Sequence, residues 1–280
     1  MSKRKEDRQQ QILRELAETP TLRIGDMART HGVSTETIRR DLDELTRRGV
    51  LNRTYGGAVR AMNSEPTVTE RHQLFTEERE RIARDAVHCM REGKIFMIGS
   101  GATTVHVARR MASELRDITV ITHAFGVATV LSMNPTIRVI VAPGEYCATE
   151  GAMTGAQTLL FLSQFTADYT LLGASGIAAD GPSEALIDSG TVYRAMIQRA
   201  AKSIVVADHS KFDLTYPYHY AGWSGISRLI TDQPLPDHLA TVLGRGKGGR
   251  GAWSCRSLNS SDPRRYVYPL AKLAWIRCCR

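Results

Sequence analysis

Between Val33 and Val59 the chain reads VSTETIRRDLDELTRRGVLNRTYGGAV. Taken as a helix from about Thr35, its apolar residues Ile38, Leu42 and Leu45 fall four and three apart, so they share one face. The opposite face is centred on Glu36, Arg40, Asp43 and Arg47, with Thr37 and Arg39 on its flanks. The first half of that outer face is basic and hydroxyl-bearing; the second half turns acidic at Asp43 and Glu44. A helix lying along DNA for its whole length would not carry those acids outward. One that enters a groove by its N-terminal half can, which is the geometry of a helix-turn-helix reader.

The flanks fit that geometry. Glu6 to Glu18 predicts a first helix, with Ile12, Leu13 and Leu16 apolar, and Thr19-Pro20 breaks it because the residue before a proline disfavours the helical region. Arg23 to His31 predicts a second helix with Ile24, Met27 and Ala28 inward; Gly32 supplies the turn, and Ser34 or Thr35 the cap. Gly49 ends the reader helix, and Val50–Arg53 and Ala58–Arg60 are expected as strands around Tyr55-Gly56-Gly57. Residues 1–60 thus make a winged helix-turn-helix domain. Arg39 and Arg40 suit guanine edges or phosphates, Glu36 can accept from cytosine N4, and Ser34, Thr35 and Thr37 suit phosphate or base contacts. On the wing, Arg53, Tyr55, Gly56 and Gly57 can approach the backbone or minor groove. For Arg39 alone, pairing with Asp43 on an exposed helix is an equally good use, worth only tenths of a kcal/mol.

Net charge supplies no support for DNA binding. The chain of 280 residues carries a formal +8, but residues 244–280 hold nine Lys/Arg against one acid, Asp262, so residues 1–243 are neutral. Within that body the first 60 residues have thirteen bases and nine acids, which leaves the remainder acidic. A modestly basic head on an acidic body suits a DNA reader joined to a sensor, since phosphate attraction is useful at one end only. The sequence has no apolar run of about 18 residues, and its charged opening lacks the core of a signal peptide, so a cytoplasmic protein with no membrane partner is expected. Cys89 and Cys147 are isolated, and Cys255, Cys278 and Cys279 match no zinc spacing; neither a metal, a cofactor nor a catalytic residue set is expected.

Residues 61–73 form a polar connector with one proline. From Leu74 to Arg91 runs a charge-rich amphipathic helix, after which short apolar strands alternate with helices. Strands are expected at Lys94–Ile98, Ile118–Thr122, Ile137–Val141, Tyr169–Gly173, Ser203–Ala207 and Arg228–Thr231. Helices are expected near Thr104–Leu115, Phe125–Met133, Gln157–Phe165, Gly190–Ala201 and Pro236–Leu243. Alternation of this kind predicts an α/β domain over residues 74–243, its largely parallel sheet covered on both faces.

Two stretches in that domain can carry chemistry. Gly99-Ser100-Gly101-Ala102-Thr103-Thr104 follows an apolar strand and opens a helix, so backbone amides and hydroxyls can converge on an anion such as a phosphate. It lacks the lysine of a P-loop and the third glycine of a dinucleotide fingerprint. A plain tight turn with an N-cap is the other reading of so short a pattern. The second stretch, Val205 to Phe212, delivers Asp208 and Lys211 at a strand's C-terminal end, where parallel sheets place ligands. Asp208 can hold sugar hydroxyls and Lys211 a phosphate; acid plus lysine is also the apparatus of an isomerase, with Asp208 as base. A structural ion pair is the bland alternative. His123 occupies a comparable rim position after Ile118–Thr122.

Taken together, Val33-Ser34 through TIRRDL to Gly56-Gly57-Ala58-Val59, the GSGATT loop, Val120-Ile121-Thr122-His123, Leu172 to Ile177, Tyr193-Arg194-Ala195-Met196 and Ala207-Asp208-His209-Ser210-Lys211-Phe212 resemble the DeoR-type bacterial transcriptional regulators over about residues 6–243. The resemblance implies a winged head on double-stranded operator DNA and a sensor with a ribose-phosphate-isomerase-like fold. It also implies a homo-oligomer, dimer or tetramer, and repression of a carbohydrate-related operon relieved by a phosphorylated sugar or derivative. Effector contacts then fall to Ser100, Gly101, Ala102, Thr103, Thr104, His123, Asp208 and Lys211. Three positions depart from the family pattern: Gly99 stands for an acid, Ala102 for a threonine and His123 for an asparagine. The anion cradle survives these changes through Ser100, Gly101, Thr103 and Thr104, and the sugar-hydroxyl contacts are altered.

Residues 244–280, rich in Gly, Arg, Ser, Trp and Cys with no sustained period, differ in character from everything before them. Two origins fit: out-of-frame translation after a frameshift near Leu243, which is the expectation adopted, or a genuine basic arm adding nonspecific DNA affinity.

Overall fold

The computed structural model describes residues 21–47, 51–54, 57–60, 65–245 and 266–270, with Lys5, Arg8, Gln9, Gln11, Ile12 and Glu15 before them. The chain divides into two compact units, Met1–Pro66 and Thr67–Arg280.

In the first unit, β1 (Thr21–Arg23) leads into α1 (Ile24–Thr30) and α2 (Thr35–Arg47), followed by β2 (Leu51–Thr54) and β3 (Gly57–Arg60). The expected first helix falls largely outside the described residues; those described between Lys5 and Glu15 are helical. The core is Ile12, Ile24, Met27, Ala28, Ile38, Leu42 and Leu45, so the i, i+4, i+7 stripe of the reader helix is its buried face, as its spacing requires. One element differs from expectation. Thr21–Arg23 is a strand, pairing antiparallel with Gly57–Val59, so the wing is a three-stranded sheet of order β1-β3-β2.

The second unit opens with α3 (Val68–Arg71), inside the stretch expected to be a plain connector, and α4 (Thr76–Met90). Then come β4 (Ile95–Ile98), α5 (Ala102–Glu114), β5 (Ile118–Thr122), α6 (Phe125–Leu131), β6 (Ile137–Val141), the hairpin β7–β8 (Glu145–Cys147, Ala152–Thr154) and α7 (Ala156–Leu162). They are followed by β9 (Ala167–Leu172), β10 (Gly176–Ala178), β11 (Gly181–Glu184), α8 (Ile187–Gln198), β12 (Ala200–Val206), β13 (Tyr218–His219), β14 (Arg228–Thr231), α9 (Asp237–Arg245) and β15 (Tyr266–Pro269). The main sheet has the order β15-β14-β12-β9-β4-β5-β6. All its pairings are parallel except β14 with β15. This is the α/β architecture expected.

Alternate residues of each strand feed two cores. Phe96 and Ile98 join Ile82, Met90, Val107 and Met111 on one face; Met97 joins Leu172, Val192, Tyr193, Met196 and Val205 on the other. Helices α4, α5 and α6 cover the first face, α8 and α9 the second. The edge strand β15 lies within the tail set apart by its composition. Val267 enters one core and Tyr268 packs on the other, and the Tyr268 hydroxyl accepts from the Leu235 amide at 3.1 Å, so the sheet extends past residue 243. No helix among the described residues is long and apolar enough to cross a membrane.

Candidate functional site

On the reader helix α2, Ser34 is the cap: its Oγ accepts from the Thr37 amide at 3.1 Å and lies 2.9 Å from Thr37 Oγ1. Thr35, Glu36, Arg39 and Arg40 are exposed and Thr37 is half-buried. The Glu36 carboxylate lies 3.8 Å from Arg39 and 3.4 Å from Arg40, so both arginines sit beside an acid on the exposed face of the helix. Sequence reasoning passed over Asp41. It is buried, accepts from Arg8 Nε at 2.6 Å and Gln9 Nε2 at 3.2 Å, and so ties α2 to the helical residues near the start of the chain. Arg53 and Gly57 lie on the wing strands, Gly57 paired with both Arg23 and Thr54. The Arg53 side chain, Tyr55 and Gly56 lie outside the described residues.

In the second unit the eight expected effector residues all follow β4, β5 or β12 at the C-terminal edge of the parallel strands. The loop after β4 turns through Gly101, whose φ of 125° favours glycine. The 13-residue helix α5 begins at the next residue. Thr104 Oγ1 donates back to Gly101 O at 2.8 Å, and the Val105 amide reaches Gly101 O at 3.2 Å as the first helical bond. The amides of Ala102, Thr103 and Thr104 precede that bond and belong to the first turn, which has no intrahelical acceptor. Ser100, Ala102, Thr103 and Thr104 are buried, so these amides sit in a sheltered corner at the positive end of a helix, where an anion is favoured.

His123 takes a part the sequence did not indicate. Its Nε2 accepts the Ser100 amide at 3.1 Å, which obliges Nδ1 to carry the proton it donates to Met153 O at 2.6 Å. The imidazole is therefore neutral, and burial pushes its pKa down to about 4. One amide of the expected cradle is thereby held by a side chain.

Asp208 differs from expectation more. It is fully buried; Oδ1 accepts from the Ser210 amide at 3.2 Å and from the Ser210 hydroxyl, while Oδ2 faces Arg79 Nε at 3.3 Å and Nη2 at 3.2 Å. Both oxygens are engaged by the protein, so of the readings of Asp208 the contacts match the structural ion pair rather than a hold on sugar hydroxyls or a base. Lys211, half-buried on the turn His209–Lys211, is positioned through its amide, which donates to Asp208 O at 3.1 Å. Arg79 also donates to the carbonyls of Arg71 and Leu74, and Arg71 Nη2 donates to both oxygens of buried Glu150, at 2.7 and 2.6 Å. Sequence reasoning missed Arg71, Arg79, Glu150 and the buried pair of Ser175 Oγ with Glu184 Oε1 at 2.6 Å. Partners up to 129 residues apart leave no local signal. Among the described residues no group of His, Cys, Asp or Glu has the makings of a metal site.

Comparison with known proteins agrees with this division. A DeoR-like helix-turn-helix domain matches residues 8–64, and a DeoR C-terminal sensor domain matches residues 74–233. The HTH-type transcriptional repressor CsqR of Escherichia coli strain K12 is 30% identical over 238 residues, covering 84% of this chain and 91% of that protein. The glycerol-3-phosphate regulon repressor of the same strain is 34% identical over 213 residues, 75% and 84% of the two chains. The transcriptional repressor AccR of Agrobacterium fabrum is 32% identical over 244 residues, 85% and 93% of the two chains. Among solved structures, a D-ribose-5-phosphate isomerase in complex with phospho-erythronic acid is a distant neighbour: 16% identity, TM-score 0.37, spanning 49% of this chain and 53% of that one. With a capped reader helix in one unit and a parallel-sheet sensor in the other, the chain belongs to the DeoR family of DNA-binding transcriptional repressors.

Proposed function

We propose that this chain is a cytoplasmic homo-oligomeric repressor of a carbohydrate-related operon, released from its operator when a phosphorylated sugar or sugar derivative binds the sensor domain. The observation that carries the effector class is the first turn of α5. The amides of Ala102 to Thr104 stand at a buried helix N-terminus, behind a glycine turn, at the edge where parallel sheets bind ligands. Thr103 adds a hydroxyl, while that of Thr104 is spent on Gly101 O, and Lys211, on the turn after β12, is assigned as a cation for the same anion.

Operator recognition is assigned to the N-terminal half of α2. Arg39 and Arg40 read base edges or phosphates, with Ser34, Thr35, Glu36 and Thr37 beside them, while Arg53, Tyr55, Gly56 and Gly57 approach the backbone from the wing. The glycerol-3-phosphate regulon repressor among the relatives makes a three-carbon phosphate the first ligand to try. An effector acts only through its preference for one of two states of the oligomer, so its binding appears as a coupling free energy. Selecting an operator from random double-stranded DNA with the full-length protein, then following its fluorescence anisotropy on titration with phosphorylated sugars, tests the proposal. Tight operator binding that one such compound weakens is expected; indifference to the whole panel overturns the effector class.

A further inference from the structure

Two parts of the parallel sheet's C-terminal edge converge on one residue close to the start of the sensor unit. Thr67 is the first residue of that unit and caps α3, its Oγ1 accepting from the Glu70 amide at 3.3 Å. The Val68 amide donates to Thr149 O at 2.8 Å, and Arg71 Nη2 donates to both oxygens of Glu150. Thr149 and Glu150 lie in the turn between β7 and β8, so α3 is fastened to that hairpin by backbone and side chain together. Arg71 and Glu150 are each 6% exposed, so water does not screen the pair.

The hairpin is in turn fastened to the end of β5. The Met153 amide donates to His123 O at 2.7 Å, His123 Nδ1 donates to Met153 O, and the Phe125 amide donates to Gly151 O at 2.9 Å. His123 Nε2 holds the Ser100 amide, just before the first turn of α5. A second route starts after β12. Asp208 holds Arg79, and Arg79 Nη1 donates to the carbonyls of Arg71 and Leu74. Phe75, the residue after Leu74, has a φ of 52° and sets its ring edge-on to His209 at 5.3 Å. The Arg71 side chain is therefore tied to the end of β5, and its carbonyl to the end of β12. A buried ion pair adds little net stability over apolar residues of similar volume; what this one supplies is a fixed geometry.

We propose that Arg71 is the positioning residue that couples the sensor's ligand edge to the DNA-binding head. The proposal rests on the reading that the effector's anion sits at the first turn of α5 beside Lys211. A ligand there shifts the Ser100 loop and the turn His209–Lys211. Both shifts arrive at residues 67–75, the stretch that continues directly from the head's last residue, Pro66. Coupling is reciprocal, so operator bound at the head must alter the same edge contacts.

Hydrogen–deuterium exchange of the full-length protein, with and without an operator selected from random DNA, tests this and needs no effector. Operator is expected to change amide protection at residues 67–75, 148–153 and 208–212 as well as in the head. The double variant Arg71→Met with Glu150→Leu removes both charges together and so strands neither. It is expected to bind operator and to lose the change beyond residue 66. Glu150→Gln, which keeps the size of the side chain, is a milder second variant with the same expected loss. A purely structural role would lower the melting temperature of the variants without removing the operator-induced change. Variants that bind operator and keep that change overturn the role of Arg71. A change confined to residues 1–66 in the unaltered protein overturns the coupling itself. Indifference to every phosphorylated sugar in the anisotropy titration fails the effector reading alone, because the exchange comparison contains only protein and operator.

Discussion

Two of the chain's arginine–carboxylate pairs have the same chemistry in opposite surroundings. Arg40 and Glu36, 3.4 Å apart on the reader helix, have side chains 80% and 60% exposed; Arg79 and Asp208, 3.2 Å apart in the sensor, are 3% and 0% exposed. Water screens the first pair, so it is worth little and Arg40 can trade Glu36 for a phosphate or a guanine edge at small cost. The second pair has no water to fall back on. Breaking it strands a charge in the interior, so it fixes position and is poorly suited to exchange. The exposed pair suits the partner exchange proposed for Arg40, and the buried pair suits a held shape.

The largest expected effect breaks the buried pair. Arg79→Ala leaves Asp208 without its cation and takes a donor from the carbonyls of Arg71 and Leu74, so urea unfolding should show a loss of about 3–5 kcal/mol. A loss close to zero would place Arg79 with the exchangeable pairs.

Next comes the buried imidazole at the sensor's edge. Burial lowers the His123 pKa to about 4, whereas in the unfolded chain it titrates near about 6.5. Protons therefore bind the unfolded chain more readily. The stabilising contribution is complete above about pH 6.5 and is lost as pH falls toward 4, on the order of 3 kcal/mol across that window. His106, lowered to about 4 by burial and by Arg109, acts in the same direction. Thermal melts from pH 7 to pH 4 should thus be flatter for His123→Asn than for the unaltered protein, without losing all of the slope.

Smaller effects are expected on the exposed side. Arg40→Ala should cost about 1–3 kcal/mol of affinity at the cognate site if Arg40 reads a guanine, with folding stability little changed. Equal loss on random DNA would make it a phosphate contact. Ser34→Ala removes the cap of α2 and should lower the head's stability by about 1 kcal/mol, read by circular dichroism.

How much of this the sequence revealed follows the same division between local and distant interactions. Strands Ile118–Thr122, Ile137–Val141 and Arg228–Thr231 have the bounds that their apolar runs predict, because an apolar run between turn signals is a local pattern. The buried stripe Ile38, Leu42 and Leu45 was legible for the same reason. Thr21–Arg23, Glu145–Cys147, Gly176–Ala178 and Gly181–Glu184 were not, since strands of three or four residues rich in polar or glycine positions carry no period to detect. Tyr266–Pro269 hid in a stretch whose composition argued against any element.

At the candidate site, residue types and neighbourhood were legible and partnerships were not. The loop Ser100 to Thr104 stands at a helix N-terminus as expected. Asp208 makes the structural ion pair that stood as the alternative to holding a sugar, and its arginine comes from a helix read only as charge-rich and amphipathic. Tyr193 matched a family motif without indicating that its ring would lie over Gly99. Such pairings are properties of the packed chain, invisible to spacing along it.

The most direct test of two chemically separate regions uses Arg40→Ala with the phosphorylated compound that releases the unaltered protein from its operator. In a thermal shift assay, a ligand at about 100 times its dissociation constant adds roughly 2.7 kcal/mol to the state that binds it. If the head reads DNA and the sheet edge holds the anion, Arg40→Ala loses the operator and keeps the full ligand-induced shift. Loss of both together would contradict that separation.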